Sequence, residues 1–344
     1  MNKRLYYVVC VMIIFLFCRC SSVKPVNVVK TDFPDEIAPV YCILGTKIFE
    51  NKGIFDCELQ NKSNAEQTVN VVVQVVDFSS PESETVTLKP GESKVVSMFP
   101  VFNDKVLELT EQRRSSVDIK VLKNNETLFQ DSKEITILAT DDMIWGVDTD
   151  FDTCFLIASW VTPRDPVIGK ILKKAKEKMS DRTLCGYGRE TDEEFIEEMT
   201  AIWNTLQGLG ISYVSSSVSF ATAGTAQRVR LPRETIKEKC ANCVDGTVLL
   251  ASIFENLGME PIIVITGDHV FLGVRKTSES EDVYYIETTM MADSTFDEAL
   301  AEGKEAFRAL KKLKKDKDYV LVDITAERAD GITPIPVKGD GPDI

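Results

Sequence analysis

Residues 239–274 read KCANCVDGTVLLASIFENLGMEPIIVITGDHVFLGV, and the fold of the C-terminal half turns on them. From Asp245 to Leu257 apolar side chains recur at helical spacing, and Gly258 supplies a stop. Pro261–Thr266 and Val270–Arg275 are short β-branched runs on either side of Gly267-Asp268, which predicts two strands joined by a turn. A third strand is predicted over Val283–Thr288. Cys243 stands at the helix start, His269 at the start of the second strand, and Glu287 at the end of the third.

That placement has chemical consequences. A thiol at a helix N-terminus feels the positive end of the dipole, which favours thiolate. A backbone N–H at the same place can receive an oxyanion. The 26 residues from Cys243 to His269 are enough for one helix and one strand to bring the chain back. Adjacent antiparallel strands would set His269 beside Glu287. Thiol, imidazole and carboxylate, in that order, make a nucleophile, its base and the base's orienter. The chain has one histidine, so only His269 can be that base.

The stretch resembles the transglutaminase-like superfamily, relatives of the papain-type thiol enzymes. The resemblance is carried by Asn242-Cys243-Val244-Asp245, Leu257-Gly258-Met259, Gly267-Asp268-His269-Val270-Phe271 and Tyr285-Ile286-Glu287-Thr288-Thr289. It covers about 233–290 closely. A looser likeness to uncharacterised bacterial proteins spans 141–337 and includes Gln227-Arg228-Val229-Arg230-Leu231-Pro232. The resemblance implies that Cys243 is the nucleophile, His269 the base and Glu287 the orienter. It implies no cofactor and no metal. The acid is Glu where the family more often has Asp, and the aromatic residue usually just after the histidine is displaced to Phe271. Gln227 and Asn242 are further candidates for oxyanion donors. Asp245 is either a first-turn acid facing the helix dipole or a contact supporting the site.

These residues admit other readings. Cys240 and Cys243 form a C-x-x-C, but a redox pair normally follows a buried strand, and Lys237-Glu238-Lys239 precedes this one. A zinc site would need two more ligands. A structural cysteine and a core histidine are the plain alternative. Trp145, Trp160 and Trp203 read as core.

Outward from this centre, Asp165–Ser180 is predicted helical. Thr191-Asp192-Glu193-Glu194 is a capping box for a helix reaching Gly208. Ile211–Phe220 reads as a strand, Thr295–Leu313 as a helix and Tyr319–Ile324 as a strand. Helices followed by antiparallel strands make residues 141–337 an α+β domain. The proline-rich stretch after Gly331 reads as an ordered strap, with residues 338–344 a tail that frays.

Upstream the period is two. Val69, Val71, Val73 and Val75 alternate, as do Val86 and Leu88, then Val117, Ile119 and Val121, then Ile135 and Ile137. Lys89-Pro90-Gly91-Glu92 is a turn. Residues 39–140 are predicted to form an all-β Ig/fibronectin-like sandwich that acts as a spacer or binding module. The chain is therefore expected to be multidomain. Cys42 and Cys57 would be able to pair if they lay on neighbouring strands.

The N-terminus sets the compartment. Lys3 and Arg4 precede an apolar run of 14 residues, Leu5–Cys18, of signal-peptide length and short of a spanning helix. Cys20-Ser21-Ser22 follows, so residues 1–20 resemble a bacterial lipoprotein signal. Cys20 is the expected lipidated residue and Cys18 the second choice. Residues 21–38, with Pro25 and Pro34, read as a tether. Removing residues 1–19 takes away three bases and no acid, leaving 37 Lys and Arg against 54 Asp and Glu, a net charge of −17. So acidic a chain does not seek nucleic acid by charge. Lys311-Lys312-Leu313-Lys314-Lys315 reads as a solvated helix face.

The expected protein is thus a lipid-anchored envelope enzyme that acts on amide bonds of a protein or peptide through a thioester. The competing expectation is a non-catalytic envelope lipoprotein that binds a partner through its sandwich.

Overall fold

The computed structural model describes residues 24–46, 53–146, 152–215, 226–278, 280–312 and 319–344. The signal, Cys18 and Cys20 lie outside the described residues, as do the second half of the predicted 211–220 strand, of which the described half is a strand only at Ser212–Tyr213, and part of the lysine tract.

Eight strands come first. They are β1 (Val26–Asp32), β2 (Glu36–Ile37), β3 (Phe55–Asn61), β4 (Gln67–Val75), β5 (Glu82–Leu88), β6 (Ser93–Met98), β7 (Arg113–Lys123) and β8 (Glu126–Ile137). They form an antiparallel three-stranded sheet, β1-β3-β6, and a five-stranded sheet, β2-β8-β7-β4-β5, in which only the β2–β8 pair is parallel. Side chains on a strand alternate faces, so Phe55, Cys57 and Leu59 meet Val69–Val75 and Val117–Val121 from the other sheet in one dry core. The alternation read from the sequence is what closes the two sheets.

Residues 21–38 are not wholly a tether. Val26–Asp32 is a strand hydrogen-bonded along β3. A register shift between Val28 and Lys30 leaves Val29 exposed, and this bulge spoils the alternation that would have announced a strand. A short helix, α1 (Pro39–Leu44), follows instead of another strand. Its Val40, Tyr41 and Leu44 pack into the second core. Cys42 therefore sits on a helix while Cys57 sits on β3, and both are free thiols.

The second half contains β9 (Asp142–Ile144), α2 (Pro166–Ala175), α3 (Asp192–Gly208), β10 (Ser212–Tyr213), β11 (Ala226–Arg228), α4 (Pro232–Glu238), β12 (Cys240–Ala241) and α5 (Cys243–Asn256). It continues through β13 (Pro261–Thr266), β14 (Val270–Arg275), β15 (Val283–Ile286), α6 (Phe296–Lys312), β16 (Tyr319–Asp323) and α7 (Ile324–Ala329). The molecule is thus mixed α/β with several sheets. The main sheet here is antiparallel, in the order β15-β14-β13-β16. Ile263, Ile265, Val270 and Leu272 face the large core that contains α5, whereas Val264 and Phe271 meet Phe307 of α6 on the other face. Every residue of α5 from Cys243 to Phe254 is buried. Trp145, Trp160 and Trp203 are fully buried in the same core.

Helix α3 begins at the predicted N-cap, with the Thr191 hydroxyl accepting from Glu194 N at 3.2 Å, but the box does not close, because the Glu194 carboxylate accepts from Glu190 N at 3.1 Å instead of from Thr191 N. The C-terminal strap is held along its length. Ile335 N donates to Ser159 O at 2.7 Å, and Lys170 reaches Pro342 O at 2.8 Å. The predicted fraying tail is therefore pinned nearly to its end. Among the described residues no helix is long and apolar enough to cross a membrane.

Candidate active site

Cys243 is the first residue of α5, two positions ahead of the helix start expected from hydrophobic spacing. Polar capping set that boundary. Asn242 is the N-cap, its side-chain oxygen accepting from Asp245 N at 2.9 Å, and Asp245 returns a bond to Asn242 N at 3.0 Å. This reciprocal box satisfies two of the helix's orphan donors. The Asn242 side-chain oxygen is thus committed to the cap. Among the described residues no hydrogen bond occupies the N–H of Cys243 or Val244.

Asp245 does both things considered for it. It caps, and it also receives Arg230 N at 2.8 Å and Arg230 Nη1 at 2.9 Å. Its side chain is fully buried. Burial pushes its carboxyl up, against the bonds from Asn242 and Arg230. Arg230 was visible only as part of a loosely similar stretch, and nothing local announced its partner.

The β13–β14 turn through Gly267 and Asp268 delivers His269. The Thr266 hydroxyl accepts from His269 N at 2.9 Å, and Thr266 N donates to His269 O at 2.8 Å. The imidazole lies near-parallel to the Phe271 ring, with centroids 5.9 Å apart. Its Nε2 is 2.7 Å from Glu287 Oε2, and the Cys243 side chain is near enough to help raise its pKa. Since Nε2 faces the carboxylate, Nδ1 is the ring nitrogen left for sulfur. Burial alone would lower the imidazole pKa. Cys243 and Glu287 outweigh it and raise the value to about 10.

Strand β15 ends at Ile286, so Glu287 lies just beyond it and caps a 3-10 turn, Thr288–Ala292. Its second oxygen, Oε1, accepts from Thr289 N at 3.0 Å and Thr289 Oγ1 at 2.6 Å. Burial opposes the charge, but the bonds from His269 and Thr289 hold the carboxyl below its usual range. Thr288 works on the other side. Its hydroxyl bonds Thr247 Oγ1 at 3.0 Å and Cys243 O at 3.3 Å. Thus the Glu-Thr-Thr run ties the acid's turn to the first turn of α5, and Cys243, His269 and Glu287 come together.

Gln227 is placed differently. It lies on β11, paired with β9, and its side-chain oxygen accepts from Trp145 Nε1 at 3.0 Å. No hydrogen bond joins it to Cys243, His269 or Glu287. Cys240 is held apart from the triad, its sulfur 3.8 Å from Glu238 Oε2. Tyr213 is a neighbour that the sequence did not disclose. It pairs with Ala241. Burial and the charge of Cys243 push its hydroxyl pKa up, with Glu287 adding to them and Ser215 opposing. Among the described residues no group of three or more His, Cys, Asp or Glu is arranged to hold a metal ion.

No family model matches the chain, and no curated protein matches it. Among solved structures, a FixG-related protein from Vibrio parahaemolyticus is 13% identical at a TM-score of 0.23, covering 34% of this chain and 98% of that one. The α-2-macroglobulin of Escherichia coli, from domain MG7 to its C-terminus, is 12% identical at a TM-score of 0.23, covering 67% and 41%. A β-glucosidase from Listeria innocua is 19% identical at 0.20, covering 33% and 16%. Likenesses this slight bear on neither fold nor function.

Proposed function

We propose that this chain is a thiol enzyme of the transglutaminase-like superfamily, acting on amide bonds of a protein or peptide through Cys243, His269 and Glu287. The observation that carries the reading is the 2.7 Å bond from the one histidine's Nε2 to Glu287, made beside a cysteine that opens helix α5. In this reading the N-terminal sheets are an Ig/fibronectin-like spacer, and the N-terminal lipid at Cys20, or at Cys18, holds the protein to a bacterial envelope membrane.

The chemistry follows from the parts. With its pKa raised to about 10, His269 already holds a proton near neutral pH, and Sγ attacks the amide carbonyl. The oxyanion that forms lies against the start of α5, where the Cys243 and Val244 N–H groups are unused. His269, an imidazolium steadied by Glu287, gives its proton to the departing amine. The C–N bond breaks and a thioester remains. Water then releases an acid, or a second amine releases a crosslinked product.

The test uses the thiols themselves. Burial pushes Cys57 and Cys154 up to about 12, which removes them as competitors near neutral pH. Exposed Cys185 and half-buried Cys240 are the internal controls. Iodoacetamide should label Cys243 faster than either at pH 7, and His269→Ala should slow it at least about tenfold with circular dichroism unchanged. Equal, sluggish rates in both proteins would reject the enzyme and favour the non-catalytic binding protein.

A further inference from the structure

The two-stranded sheet beside Cys243 has an unused edge. β10 runs parallel to β12, with Ser212 N donating to Lys239 O at 2.9 Å and Val214 N to Ala241 O at 2.8 Å. Successive residues of a strand turn their main-chain groups to opposite sides. Those of Tyr213 therefore face away from β12, and among the described residues none hydrogen-bonds its N–H or C=O. Tyr213 and Val214 are 46% and 49% exposed, the one adjacent pair among the large apolar side chains left open in the described residues. Tyr213 lies opposite Ala241, two residues before Cys243. β10 also packs on the turn that follows Glu287.

We propose that the outer edge of β10 docks an extended peptide substrate, bridged through the N–H and C=O of Tyr213 and delivered to Cys243. The proposal rests on the thiol-enzyme reading and names the substrate's shape. Tyr213 is in register with Ala241, two residues ahead of Cys243, so a peptide laid along β10 runs beside the chain that leads into α5. Main-chain bonds accept many sequences, and the exposed Tyr213 and Val214 side chains select apolar neighbours along the strand.

The probe is acetyl-Val-Leu-Gly chloromethyl ketone on the full chain, with chloroacetone as the same reactive group lacking the peptide. In both reagents the Sγ–CH2 bond forms and chloride leaves, while His269 keeps its proton. The peptide should alkylate Cys243 at least about tenfold faster than chloroacetone, the worth of one or two main-chain bonds. Tyr213→Pro removes the outward N–H together with the phenol and spares the β12 ladder, so it should cut the ratio of the peptide rate to the chloroacetone rate about tenfold, whereas Tyr213→Phe, which keeps the N–H, should preserve that ratio. N-methylating the probe's amides should do the same to the unaltered protein, so a misfolded proline variant does not rescue the idea. Equal rates for the two reagents, or an advantage indifferent to both changes, would overturn the proposal. So would a labelling rate that falls with protein concentration, because the edge would then be occupied by a second copy. If iodoacetamide favours Cys243 and the peptide brings no gain, docking alone fails. If Cys243 is inert to every reagent, the enzyme reading fails first.

Discussion

His269 is where burial and charge contend. Its neutral form is favoured by burial, yet its pKa is raised from the ordinary 6.5 to about 10 by Cys243 and Glu287. The linkage has a definite sign. A raised histidine contributes stability that is complete below about pH 6.5 and is lost as pH climbs through about 10. Glu287 is held low, so its contribution is present above its ordinary 4.5 and disappears as pH falls through its lowered value. Glu287→Gln should therefore lose most stability near pH 6, and the gap to the unaltered protein should close toward pH 10. Urea unfolding at pH 6, 8 and 10 measures it. A gap that does not change with pH would mean that the pair is not ionised in the fold.

Helix α5 shows how an element places a residue. Its apolar run, Val248, Leu249, Leu250, Ile253 and Phe254, anchors it in the core. The cap decides which residue comes first. Asn242→Ala should cost about 1 kcal/mol through the lost cap. Asp245→Asn takes the buried carboxylate from Arg230, which keeps Glu238 at 2.6 Å, and should cost more, about 2 kcal/mol. Chemical denaturation of the two variants gives the ranking, and a smaller loss for Asp245→Asn would show that the Arg230 pair does not hold the site. The sequence offered Asp245 as a first-turn acid and Asn242 as an oxyanion candidate; the reciprocal box between them came with the fold. So did the Arg230 pair, because its residues are 15 apart and meet only after α4 has turned the chain.

At the scale of the molecule, the first strand matters most. Deleting residues 24–32 removes β1 and uncovers the edge of β3, including the place of Val26, which is 2% exposed. Loss of that apolar burial should cost at least about 2 kcal/mol. A melting curve unchanged by the deletion would restore the tether reading for residues 21–38. The membrane anchor is tested on the intact precursor. Metabolic labelling with a fatty acid should disappear in the Cys18→Ser, Cys20→Ser double variant, and labelling that persists would exclude an N-terminal lipid.

By itself the sequence determined what depends on neighbours along the chain. The two-residue alternation of Val69–Val75 marked the sheets, helical spacing marked α5, and the Thr191 N-cap marked α3. The order Cys243, His269, Glu287 was readable because each stood at the end of a readable element. Tertiary structure decided what depends on distant groups. Only the packed β14–β15 pair gives Nε2 of His269 to Glu287 and leaves Nδ1 for sulfur. Only folding sets Arg230 on Asp245, Trp145 on Gln227, and Tyr213 beside Cys243. The reason is physical: periodicity reports which face of an element avoids water, whereas a polar side chain's partner is fixed by where the finished core leaves a donor without an acceptor.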